Sequence, residues 1–136
     1  MIITLCSSKK FFSQLDEIEE ILINKGYEVL KPSTDDSHLL NNEEDSDQKI
    51  KYDLIRQHFN KINSSNAIYV YNDDKNGLDG YIGGNTFLEM GKAYDVEIPI
   101  LLYKQYSNKL PYSEELRALQ PIVIGEDWDS IEDYLK

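Results

Sequence analysis

Two hydrophobic periods alternate along this chain. The opening run from Met1 to Cys6 is short, nearly continuous in apolar residues and rich in β-branched ones, as in a strand buried on both faces of a parallel sheet. It stops at Ser7 and Ser8. From Lys9 to about Lys25, Phe11, Leu15, Ile18 and Leu22 recur at helical spacing, acidic residues take the other faces, and Gly26 supplies a C-terminal stop. Tyr27 to Leu30 predicts a second strand, ended by Pro32, and the polar stretch from Ser33 to Gln48 predicts a long loop. Helical spacing resumes with Ile50, Leu54, Ile55, His58, Phe59 and Ile62, before a third strand over Ala67 to Tyr71. Asn72 to Gly84 is rich in turn formers, Thr86 to Asp95 predicts a short helix, and Ile98 to Leu102 a fourth buried strand. A helix over Ser113 to Leu119, a strand over Pro121 to Ile124 and a closing helix from Trp128 complete the pattern, with Trp128, Ile131 and Leu135 facing the sheet.

Strands and helices alternating at this length predict one doubly wound α/β domain spanning residues 1–136, because parallel strands need right-handed crossovers that place helices on both faces. The expected strand order is 2-1-3-4-5. Ligands of such sheets bind beyond the carboxyl ends of the strands, where the order reverses. That rule selects the loops Ser7 to Lys10, Ser33 to Gln48, Asn72 to Gly84 and Tyr103 to Tyr112.

Charge narrows the partners. The 136 residues carry 14 basic and 25 acidic side chains, a formal charge of -11, which argues against phosphate-backbone binding and hence against DNA or RNA. Six of the acidic residues lie between Asp35 and Asp47 and five between Glu126 and Asp133, with no basic residue in either stretch, so the rest of the chain is neutral. An acidic rim beside the expected cleft would repel polyanions yet leave Lys9 and Lys10 free to hold one phosphate, which favours a nucleoside or nucleoside monophosphate. Cys6 is the single cysteine, so no intrachain disulfide forms, and His38 and His58 show no zinc spacing. Neither a metal nor another cofactor is expected. The first residues do not have the form of a signal peptide and no stretch approaches a membrane span, so the expected setting is cytoplasmic.

The densest local signal is Gly80-Tyr81-Ile82-Gly83-Gly84-Asn85-Thr86-Phe87-Leu88-Glu89-Met90-Gly91, a flexible loop running into a helix. Glycines let backbone amides approach a ligand, and a helix start adds free N–H groups. Glu89 then has two readings. In one it is a carboxylate nucleophile or base, kept ionised by the helix dipole; in the other it closes a capping box with Thr86. Ser7, Ser8 and Lys9 likewise either bind a hydroxyl or phosphate or merely cap the first helix. Asp73 and Asp74 could touch a ribose hydroxyl, assist proton transfer, or only form a turn. Tyr81 is the tyrosine expected at a ligand. Cys6 reads as a buried strand residue because no partner histidine is evident, and His58 as a core residue.

The GYIGGNT loop and LEMG helix resemble those of the nucleoside 2-deoxyribosyltransferase-like superfamily, and the likeness extends over most of the chain. The resemblance implies the same doubly wound sheet and a nucleophile at Glu89. It also implies a ligand contact at Asp73 and a sugar or phosphate end lined by Ser7 and Ser8. Such an enzyme would transfer or hydrolyse an N-glycosidic bond through a covalent (deoxy)ribosyl intermediate and would assemble as a homo-oligomer. Gly83 stands where characterised transferases carry an aspartate, and Asn85 where they carry a glycine. The alternative is a non-catalytic module that holds a nucleotide or sugar phosphate in the same cleft.

Overall fold

The computed structural model describes residues 1–33 and 44–135, and for residues 44–52 the backbone alone. The element order is β1 (Ile2–Cys6), a 3-10 turn (Lys9–Phe11), α1 (Phe12–Asn24), β2 (Glu28–Leu30), α2 (Glu44–Asn63), β3 (Ala67–Val70), α3 (Gly84–Asp95), β4 (Ile100–Leu102), α4 (Ser113–Ala118) and β5 (Ile122–Val123). A 3-10 segment, Trp128–Asp133, closes the chain.

The strands form a single parallel sheet of order β2-β1-β3-β4-β5, as expected. Side chains on a strand alternate between faces, and that alternation builds two cores. Ile3, Leu5, Ala67, Tyr69 and Leu101 face α1 and the closing segment, where Leu15, Ile18, Leu22 and Ile131 cover them. Cys6, Ile68, Val70, Ile100 and Leu102 face the other way, against Ile62 of α2, Met90 and Ala93 of α3 and Leu116 of α4. Thr4 points to this second face too, and its hydroxyl is satisfied by Ser65 Oγ at 2.6 Å.

Several elements differ from the sequence expectation. α2 begins at Glu44, inside the expected loop, because an acidic first turn is favoured by the helix dipole and needs no apolar periodicity. α3 begins at Gly84 rather than Thr86. The last element is 3-10 rather than α-helical, although Trp128, Ile131 and Leu135 still pack on the sheet. His38 and most of the acidic stretch after Asp35 lie outside the described residues. No helix among the described residues is long and apolar enough to cross a membrane.

Candidate active site

Beyond the carboxyl ends of β1 and β3 lies a cavity of about 560 Å³, a size usual for small-molecule sites. The turn after β1 lines it with Ser7, Ser8 and Lys9, and α1 adds Phe12. Pro32 and Ser33 follow β2, and Leu54, Ile55 and His58 project from α2. The glycine loop supplies Lys75, Tyr81 and Gly83, and α3 supplies Gly84, Asn85, Thr86 and Glu89. A second cleft of about 550 Å³, touching Tyr94, Ile98, Leu119 and Ile122, sits at the amino ends of β4 and β5, away from the strand ends where such sheets bind ligands.

The start of α3 explains why the glycines matter. Gly83 is the N-cap in extended conformation, without a side-chain cap, and its carbonyl accepts the Phe87 amide at 2.9 Å. A Cβ at Gly83 would press on the Tyr81 ring at 3.3 Å, whereas one at Gly84 would meet nothing within 4 Å. Tyr112 stacks on Phe87 with ring centroids 4.7 Å apart and donates its hydroxyl to the Ile82 carbonyl, fixing the helix start. Thr86 is therefore buried in the first turn rather than capping it, and Glu89 lies beyond that turn. The capping box does not form. Nor does the dipole hold Glu89 ionised, because burial dominates and pushes its carboxyl up to about 8, against weaker opposing effects of the Cys6 thiol and the Lys61 charge.

Glu89 meets two residues that sequence spacing does not connect. Cys6, last in β1, points to the α2–α3 face, and its Sγ lies 3.4 Å from His58 Nε2, which in turn lies 3.7 Å from Glu89 Oε2. All three are buried or nearly so, and Glu89 Oε1 has no hydrogen-bond partner. Burial, helped by the Lys61 charge, lowers His58 to about 4 against the pull of the Leu5 carbonyl, and burial raises the Cys6 thiol well above its ordinary range. A histidine partner for Cys6 thus exists, although the sequence shows none nearby. The available signal was His58 itself, a polar residue inside the apolar stripe of α2.

The remaining candidates divide. Ser7 is nearly buried, with its hydroxyl donated to the Ser8 carbonyl at 2.9 Å, and Ser8 stands at the N-cap of the 3-10 turn without capping it. Lys75 Nζ reaches Ser8 Oγ at 3.3 Å and lies 5.3 Å from the Tyr81 ring centroid, adding an ammonium group that the sequence reading omitted. Asp73 is not among the lining residues: Tyr71 donates to its Oδ2 at 3.4 Å and its Oδ1 accepts the Asp74 amide at 2.8 Å. Asp74 is tied to Lys104 at 2.7 Å and to the Gly80 amide at 3.0 Å. The loop over Tyr103 to Tyr112 also stays out of the cavity and instead supports it from behind. There Asn72 clamps Lys104 through both halves of its amide, at 2.7 and 3.0 Å.

The buried pair makes stability depend on pH. Glu89, raised from 4.5 to about 8, stabilises the fold below pH 4.5 and loses that contribution as pH rises to 8. His58, lowered from 6.5 to about 4, contributes fully above pH 6.5 and loses it as pH falls to 4. Between pH 4.5 and 6.5 the two slopes cancel, since folded and unfolded chains each hold one proton on these groups, whichever of the pair carries it. Above pH 6.5 the Glu89 contribution declines alone until pH 8. Denaturant titrations of the wild type and Glu89→Gln across pH 4–8 check this: the decline between pH 6.5 and 8 should vanish in the variant.

The parallel sheet of this order is shared with two solved structures that superpose over nearly the whole chain. Among solved structures, the 2-deoxyribosyltransferase of Bacillus psychrosaccharolyticus superposes with a TM-score of 0.64 at 18% identity, covering 98% of this chain and 92% of the other. The CMP N-glycosidase BcmB of Clostridium botulinum superposes with a TM-score of 0.53 at 16% identity, over 98% and 96% of the two chains. No protein-family model and no curated protein matches the chain.

Proposed function

We propose that the protein cleaves or transfers the N-glycosidic bond of a nucleoside or nucleoside monophosphate, with Glu89 as the nucleophile. The observation that carries this reading is the position of Glu89: a buried carboxyl with an unpaired oxygen, lining a cavity in a fold shared with enzymes of that chemistry. The Glu89 carboxylate would attack C1′, the C1′–N bond would break with its electron pair passing to the base, and a glycosyl ester would form. Water or a second base would then attack C1′ and free the carboxylate. Glu89 must first lose its proton and the departing base must gain one, so the first step is neutral in net terms. Burial keeps the carboxyl largely protonated near neutrality, but a carboxylate of high pKa is the stronger nucleophile once formed.

Ser7, Ser8, Lys9 and Lys75 would hold the hydroxyl or phosphate end, the amides of Asn85 and Thr86 would approach the sugar, and Tyr81 would flank the base. Asp73 would act only by shaping the loop. In the same reading the chain is a single cytoplasmic domain that pairs with copies of itself, an expectation that light scattering checks. One observation favours the binding-module alternative: burial keeps Glu89 largely protonated near neutrality. Incubation with a panel of nucleosides and their 5′-monophosphates, assayed for free base, separates the two. Release lost in Glu89→Gln supports the enzyme, and binding without release supports the module.

A further inference from the structure

Cys6, His58 and Glu89 come from β1, α2 and α3, yet their ligand atoms all lie within 4.8 Å of one another. We propose that Cys6 Sγ, His58 Nε2 and a Glu89 oxygen form a binding site for a single borderline-soft divalent cation, Zn²⁺ before others. Thiolate, imidazole and carboxylate together are a zinc donor set, and three protein ligands with a fourth position left open is the usual form of an accessible zinc site.

The geometry fits the ion. With Zn–S of about 2.3 Å and Zn–N or Zn–O of about 2.0–2.1 Å, tetrahedral angles place S and N about 3.6 Å apart and N and O about 3.4 Å apart. The corresponding separations are 3.4 Å and 3.7 Å, and the third, between the sulfur and the carboxylate, lies within 4.8 Å, so side-chain rotation has to bring that pair toward about 3.6 Å. A second observation is independent of those distances: Glu89 Oε1, the oxygen other than the one 3.7 Å from His58, is buried without a partner, and rotation of the carboxylate would bring it onto the cation. His58 and Glu89 both line the cavity, which gives the ion an entry path and its fourth position a solvent or ligand oxygen. On binding, the thiol and the carboxyl each release a proton to solvent, and the two negative charges offset the ion's two positive ones.

The site rests on where Glu89 sits and not on the chemistry proposed for it. If both hold, the ion occupies the oxygen that would attack C1′, and Zn²⁺ inhibits base release. Co²⁺ is the probe, added to reduced, chelator-treated protein. Because Cys6 is the single cysteine, a thiolate-to-cobalt charge-transfer band in the near ultraviolet can come from no other residue. The expected result is that band together with tetrahedral visible bands, saturating at one equivalent and abolished by Zn²⁺. Cys6→Ser should lose the charge-transfer band and bind roughly 100-fold or more weakly, with Glu89→Gln also weakened. Co²⁺ uptake without the band would mean binding at surface carboxylates of this acidic chain and would overturn the proposal. The wild-type spectrum decides this even if the variants fold poorly. Base release measured in chelator tests the Glu89 chemistry separately, so either reading can fail without the other.

Discussion

Glu89→Gln is expected to lower base release by roughly 10³-fold or more, because an amide oxygen cannot form the glycosyl ester and no other carboxylate lines the described cavity. The fold should survive the change. The carboxyl is held largely protonated by burial, so the near-isosteric neutral amide replaces a neutral group and leaves no buried charge unpaired. Retained substrate binding with lost turnover, in a variant whose thermal unfolding matches the wild type at mildly acidic pH, is the decisive pattern. Undiminished release in Glu89→Gln would remove the carboxylate from the reaction. An unfolded variant would instead point to a structural role for the Cys6–His58–Glu89 cluster.

Gly80→Ala should produce the largest loss of stability of any single change in the loop. Gly80 has φ +55, and a Cβ there would lie 2.2 Å from the Gln105 carbonyl oxygen, 2.8 Å from its carbon and 2.9 Å from Tyr106 Cα. These are backbone atoms, so no side chain can rotate away. The left-handed conformation costs about 1–2 kcal/mol and the overpacking about 1–3 kcal/mol more, which together correspond to a fall in Tm of roughly 10 °C. The damage would reach the site, because Gly80 donates its amide to Asp74 and accepts from Asn72 Nδ2 at 3.3 Å, and the same loop delivers Tyr81 and Gly83. Calorimetry together with the base-release assay would detect both effects. Gly84→Ala serves as the contrast: its Cβ meets nothing within 4 Å, so the fold should tolerate it.

The expectations that held rest on local patterns. Ile3 and Leu5 against Thr4 and Cys6, or Ala67 and Tyr69 against Ile68 and Val70, separate onto opposite faces because a strand has period two. Leu15, Ile18 and Leu22 mark the covered face of α1 for the corresponding helical reason. From such patterns and the handedness of crossovers the sheet order follows, and with it the end of the sheet where a cavity belongs. The glycine loop and Glu89 were visible as a motif, and Ser7, Ser8 and Lys9 as the turn after the first strand.

What failed depended on atoms distant in the chain. Thr86 was a plausible cap by spacing, yet Gly83 begins the helix because Tyr112 and Phe87 pin the loop three residues earlier than the cap rule implied. The helix dipole argued for an ionised Glu89, and desolvation outweighed it.

By itself the sequence determined the alternation of elements, the two-faced core and the turns that line the cavity after β1 and before α3, since each is written in neighbours a few residues apart. Only the tertiary structure decided the state of Glu89 and its company. Burial of a carboxyl, and its meeting with Cys6 and His58, arise where β1, α2 and α3 converge, and no spacing along the chain encodes that distance.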